Sequence, residues 1–366
     1  MSDRRTLGRA AYATVPLYDP KRAPVDLDLT DNTNLWGMPP AAERTLRTAA
    51  VSTLTRYPTL YAAELKAALA ALAGVDAEMI VTGCGSDDVL DSAMRAFAEP
   101  GDWVVSPEPS FAMIPIFAQM NALRYVGIPE CAAAPGAMPQ PDVEAMLATR
   151  AQITYLCSPN NPTGALTERA RIDQVVAEAN GLVIIDEAYA EFAGVSSMEL
   201  VTTSERVCVV RTLSKAYGLA GLRVGYAIGQ PSLVREIEKS RGPYKLTSIA
   251  ERVAHAAVTE DHGWVMAHVQ EAVAVREQLA AALRALGFDP MPSAANFLCV
   301  PMPNVVAVGQ ALRERGVAAR PFPGLPHIGD ALRVSVGPWP LMTRFLEALP
   351  EAYRAVNGAA SPESLT

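Results

Sequence analysis

From about Tyr61 to residue 228 the chain alternates short apolar runs with longer stretches of helical spacing. YAAELKAALAALAG places its apolar residues at helical intervals and stops at Gly74, a residue suited to the left-handed conformation that closes helices. MIVTG then reads as a strand, and Ser86 with Asp87 and Asp88 opens a second helix, SDDVLDSAMRAFA. Further strands are expected at DWVVS (102–106), RYVGI (124–128), ITYLC (153–157), LVIID (182–186), VCVVR (207–211) and RVGYAI (223–228), with helices such as LTERARIDQVVAEAN (166–180) between several of them. Short apolar runs separated by helices indicate a largely parallel sheet covered on both faces.

A long helical tract, roughly 247–286, follows. The pattern then shortens into ANFLCVP (295–301), NVVAVGQALRERG (304–316) and ALRVSVG (331–337), and a last helix runs to about Asn357. The chain is therefore expected to be an α/β protein with two parts. A large domain, 37–260, carries a mostly parallel sheet sandwiched by helices; a smaller C-terminal α+β domain spans 261–357. Residues 1–36 read as a turn-rich arm that packs on another surface and joins the small domain. The polar stretch 358–366 reads as a disordered tail.

Composition narrows the function. Half of the 366 residues are hydrophobic, enough for a large core. Net charge is −8 with no basic stripe, which argues against nucleic acid as a partner. The five cysteines are scattered, no C-x-x-C or H-E-x-x-H occurs, and neither a metal site nor a disulfide framework is expected. No apolar run is long enough to span a bilayer and nothing resembles a signal peptide, so the chain reads as cytoplasmic.

In open sheets of this kind ligands bind beyond the carboxyl ends of the strands. Three polar segments stand there: SPNNPTG (158–164) after ITYLC, Asp186 with EAY at the end of LVIID, and TLSKAYGLAGLR (212–223) after VCVVR. Singly, a strand-end aspartate is ordinarily a cap, a lysine a solvated charge, and Asn-Pro a turn. Together they match the needs of an aldehyde cofactor with a pyridine ring and a phosphate. Lys215 supplies the amine that forms a Schiff base and shuttles a proton. Asp186 supplies the carboxylate that keeps the pyridine nitrogen protonated. Asn161 and Tyr189 are candidate partners for the ring's phenolate oxygen. GCGSDD (83–88), with Gly85 and Ser86 at a helix start, Thr212, Ser214 and Arg223 could hold the phosphate, provided that Asp87 and Asp88 point away. GCGSDD has neither the dinucleotide-binding nor the P-loop spacing.

At these residues the chain resembles the fold-type-I pyridoxal-5′-phosphate (PLP) aminotransferases, and among them the histidinol-phosphate aminotransferase group. SPNNPTG, IIDEAY, RTLSKAYGLAGLR and LRVSVG stand in the family's order, from about Tyr18 to the final helix. The resemblance implies the roles just given for Lys215, Asp186, Asn161, Tyr189, Gly85, Ser86, Thr212, Ser214 and Arg223. It further implies that Phe111 stacks on the cofactor, and that Tyr57 of RYP reaches the cofactor phosphate of a neighbouring subunit in a homodimer. Arg333 would hold the substrate carboxylate, with Arg320, Tyr18 and Asn34 also at the substrate. The implied reaction is ping-pong: glutamate loads the amine, and histidinol phosphate then uses the same cation.

Three positions depart from the group. In DNTNLWG, Thr33 replaces the usual glutamate and Leu35 the usual proline; Lys245 in PYK stands where asparagine is usual. All three are expected near the site entrance, where an added cation could admit another anionic substrate. Transfer to aromatic amino acids, or a decarboxylase or oxidase outcome, would use the same inner residues. A PLP-binding regulator would require a fused DNA-binding module, and the residues before the folded region show no helix-turn-helix pattern.

Overall fold

The structure, a computed structural model, describes residues 8–17, 24–131 and 137–358. Among the described residues the twelve strands are β1 (Leu27–Asp28), β2 (Ile80–Cys84), β3 (Trp103–Glu108), β4 (Arg124–Pro129), β5 (Ile153–Cys157), β6 (Leu182–Asp186), β7 (Val207–Thr212), β8 (Val224–Ile228), β9 (Phe297–Pro301), β10 (Val317–Ala318), β11 (Arg320–Leu325) and β12 (Gly329–Ser335). Seven form one sheet in the order β2-β8-β7-β6-β5-β3-β4, in which β8 alone runs against its neighbours. The period of two divides each central strand between two helical layers. Val183, Ile185, Val207 and Val209 enter one core, while Leu182, Ile184, Cys208 and Val210 enter the other.

A smaller antiparallel sheet, β11-β12-β9, carries a third core with the helices Val305–Glu314 and Trp339–Asn357. The expected helical tract 247–286 is two helices, Ser248–Glu260 and His262–Ala285, parted at Asp261. That carboxylate accepts from the amides of Ala41 (2.6 Å) and Ala42 (3.2 Å) at the start of the helix Pro40–Arg47. The helix His262–Ala285 serves both halves: Val265, Val269 and Ala272 pack in the large core, and Val275, Leu279 and Leu283 in the small one.

The N-terminal segment, expected to join the small domain, lies against it from Leu27. From Leu27 onward it threads its own chain, with β1 parallel to β10 and Leu27 and Leu29 buried in the small core. Ser335 N donates to Leu29 O at 3.0 Å, and Asn296 Nδ2 to Asn32 O at 3.0 Å. Two paired residues are too few to show a period, so the strand left no pattern to find. Tyr18 lies outside the described residues, as does the expected tail from 359 on. Among the described residues no helix is long and apolar enough to cross a membrane.

Truncating a fully buried leucine leaves a cavity that typically costs about 2–5 kcal/mol. Leu29→Ala is therefore expected to lower stability by about 3 kcal/mol in urea unfolding. A loss within 0.5 kcal/mol, the level of a surface substitution, would show that the segment is only laid over the surface.

Candidate active site

Parallel strands bring their carboxyl ends to one edge of the sheet. Since β8 runs the other way, its first residue and the preceding Arg223 arrive at that same edge, where Val224 pairs with Cys84. A cavity of about 630 Å³ opens there, between the large sheet, segment 30–33 and the small sheet. Eleven of the expected residues line it: Ser86, Phe111, Asn161, Asp186, Tyr189, Thr212, Ser214, Lys215, Arg223, Arg320 and Arg333.

Lys215 Nζ donates to the backbone oxygen of Asp31 at 2.8 Å. Burial lowers its pKa from 10.5 to about 8, and the positive charge of Arg333 acts in the same direction. Asp186 ends β6 and is buried; its Oδ1 accepts from Ala188 N (3.0 Å) and its Oδ2 from the Tyr155 hydroxyl (2.8 Å). Burial raises this carboxyl to about 6, against the lowering effect of those two donors.

The helix Gly85–Phe97 begins directly after β2 and has no side-chain cap at its N-terminus. Two glycines make this close approach possible. At Gly85 φ is +79° and a Cβ would collide with the Arg223 guanidinium; at Gly225 it would strike the backbone of Gly85 and Ser86. Thr212 Oγ1 donates to Ser214 Oγ at 3.0 Å and accepts from Ser214 N at 3.1 Å, which sets both hydroxyls beside the lysine. The result is a cradle of backbone amides, hydroxyls and one guanidinium, suited to a phosphate.

The two acids at this helix start behave differently. Asp88 turns away as required, accepting from Cys84 N (3.0 Å), Arg241 (3.2 Å) and Lys245 (2.8 Å). Asp87 does not: it lines the cavity and pairs with Arg223 at 3.1 Å, so an anion there competes with it.

Arg333 reaches the cavity from β12, with its guanidinium between the rings of Phe297 and Phe322 at 5.4 and 5.3 Å. It donates to Asn161 Oδ1 and to the backbone oxygen of Thr30, while its buried Nε has no partner. Arg320 lies directly across the β11–β12 ladder from it. Tyr189 OH accepts from Asn32 Nδ2 at 3.0 Å, which leaves the phenolic hydrogen free to donate.

Other expected positions lie elsewhere. Lys245 is spent on the half-buried Asp88, which it pairs at 2.8 Å, and it does not line the cavity. Asn34 is not a lining residue. Its amide donates to Ala216 O (2.9 Å) and its oxygen accepts from Trp36 N (2.8 Å), tying the N-terminal segment to the lysine loop. Thr33 lines the cavity, whereas Leu35 packs against the small core. Tyr57 is 83% exposed, outside its own chain's cavity, and stacks on Tyr244 at 5.0 Å. Sequence reasoning missed Tyr155, Asn32 and Phe322. Tyr155 sits inside an apolar run, and Asn32 acts through a contact 157 residues distant.

Residues 24–349 match the family model of the class I and II aminotransferases. A histidinol-phosphate aminotransferase of Nostoc sp. is 34% identical over 330 residues, which cover 90% of this chain and 92% of that protein. An aromatic amino acid aminotransferase of Streptomyces coelicolor is also 34% identical, over 351 residues covering 92% and 95%. The crystal structure of histidinol-phosphate aminotransferase from Sinorhizobium meliloti, in complex with pyridoxal-5′-phosphate, superimposes with a TM-score of 0.85 at 26% identity, covering 97% of this chain and 99% of that one. The residues present fit that cofactor: an uncapped helix start cleared by Gly85, a buried carboxylate, and a lysine amine whose charge burial disfavours. The chain thus belongs to the class I and II aminotransferases and is a PLP-dependent transaminase of fold type I.

Proposed function

We propose that this transaminase exchanges an amino group between the glutamate/2-oxoglutarate pair and the histidinol phosphate/imidazole-acetol phosphate pair. The observation that carries the reading is the pair Arg320 and Arg333, directly opposite on neighbouring strands and facing the same cavity as Lys215. Two guanidiniums converging on one point suit a dianionic phosphate, and one of them suffices for a carboxylate.

Pyridoxal phosphate, when bound, supplies an electron-accepting pyridine ring that takes up the electron pair released at the substrate Cα. Gly85, Ser86, Thr212, Ser214 and Arg223 would hold its phosphate, Asp186 its ring nitrogen, and Asn161 and Tyr189 its ring oxygen. Phe111 would cover a ring face. Lys215 Nζ would take up the substrate Cα proton and hold it for return during the exchange. Lowering the pKa from 10.5 to about 8 raises the share of neutral amine at pH 7 by about two orders of magnitude. The neutral share itself still falls about tenfold per unit as pH drops below about 8, because the amine then fills with protons, so turnover is expected to weaken on that side. Segment 30–33 covers the lysine and limits its access to water.

We also propose a homodimer whose sites lie at the interface. Val51, Leu54, Tyr57, Leu60 and Tyr244 are exposed apolar side chains, and Tyr57 stands clear of its own cavity. Such a patch suits a self-complementary contact that delivers Tyr57 to the partner's cofactor phosphate.

Half-reaction kinetics test the substrate. Arg320→Ala is expected to lower kcat/KM for histidinol phosphate on the order of 10²-fold while leaving glutamate within a few fold; Arg333→Ala should impair both. Phenylalanine reacting better than histidinol phosphate, with Arg320→Ala silent, would move the assignment to aromatic substrates. Mixing inactive Tyr57→Ala with inactive Lys215→Ala tests the shared site. Exchange should restore one intact site per mixed dimer, and activity that never rises on mixing would contradict donation across an interface.

A further inference from the structure

Asp186 is buried at the cavity floor, and its two oxygens have different partners. Oδ1 takes the amide of Ala188, two residues along the chain, so any residue at 188 except proline supplies that bond. Oδ2 takes the hydroxyl of Tyr155, a side chain 31 residues away on the neighbouring strand. In the β5–β6 register Tyr155 stands opposite Ile184 and Cys157 opposite Asp186, so all four share one face of the sheet. The tyrosine therefore reaches diagonally along that face, from a position with no exposed surface, to meet the carboxylate from below.

We infer that Tyr155 is a positioning residue for the cofactor's pyridine nitrogen, acting by fixing the Asp186 carboxylate and holding it ionised. Its own burial drives the phenol well above its usual range, so it remains a donor at every working pH. The other groups facing Asp186 offer no such help. Asp87 on the adjoining helix and Glu187 next in the chain are acids that disfavour its charge. Cys157 on β5 is a buried thiol that spends its hydrogen on Pro159 O, and Tyr189 is turned to Asn32. The Tyr155 hydroxyl and the Ala188 amide are the donors seen on this carboxylate among the described residues. Removing the first leaves the carboxylate more prone to protonate and free to turn. A protonated Asp186 has no charge to offer a ring N–H, so cofactor affinity depends on this hydroxyl.

The test is the affinity of apoenzyme for pyridoxal phosphate as a function of pH. Tyr155→Phe removes one oxygen and keeps the ring. It is expected to move the acid limb of the affinity profile up by about one pH unit, a loss of about tenfold at pH values below both midpoints. Tyr125→Phe, which loses a comparable bond to Ser106 (2.9 Å) away from the cavity, should leave the limb in place. Asp186→Asn should abolish the shift that Tyr155→Phe causes. Site-specific 3-fluorotyrosine at 155, a stronger donor in an unchanged frame, should move the limb down, and this arm stands whether or not Tyr155→Phe folds. A limb unmoved in both Tyr155 variants, with only thermal stability reduced, would overturn the inference and leave the hydroxyl a packing contact.

Discussion

Two cations held near each other and largely withdrawn from solvent are the constraint on which the rest of this structure depends. Lys215 and Arg333 both lose hydration; the charge of Arg333 disfavours that of Lys215, and the charge of Arg320 disfavours that of Arg333. Lys215 responds by becoming a weaker base, which proton transfer requires. Arg333 cannot shed its proton at working pH, so it must be held otherwise. The protein does this with two hydrogen bonds, to Asn161 and to the Thr30 backbone, and with the faces of Phe297 and Phe322.

Those supports come from three separate parts of the chain, and this explains the topology. The N-terminal segment supplies Thr30, Asp31 and Asn32; the large sheet supplies Asn161, Asp186 and Lys215; the small sheet supplies Arg320, Phe322 and Arg333. The inserted segment is thus a seam between the halves, fixed by Leu29 on one side and by Asn34 on the lysine loop on the other. Reversal of β8 serves the same end, because it alone brings Arg223 to the strand edge where Gly85 and Ser86 begin their helix.

Much of this was legible in the sequence for physical reasons. Apolar runs such as LVIID and VCVVR can be buried only inside a two-faced sheet, and the polar segments after them mark the edge where ligands bind. Lys215, Asp186 and Arg223 could be read because polar groups at that edge need a purpose. What escaped were properties set by long-range packing. Lys245 looked like an entrance cation, yet Asp88 claims it. Asn34 looked like a ligand, yet its amide is used by the backbone. Tyr155 was hidden among apolar neighbours because a tyrosine in a strand shows no sign of where its hydroxyl ends. The β1 segment is too short to carry a period, so its pairing with β10 had no sequence signature.

Lys215 is the amine proposed to carry the cofactor. Borohydride reduction of the holoenzyme, followed by proteolysis and mass spectrometry, locates that bond directly. The account predicts a single reduced pyridoxyl-phosphate adduct on the peptide containing Lys215, and none after prior conversion with excess glutamate, when the amine has been released. An adduct on another lysine, or one on Lys215 that persists unchanged after glutamate, would contradict it.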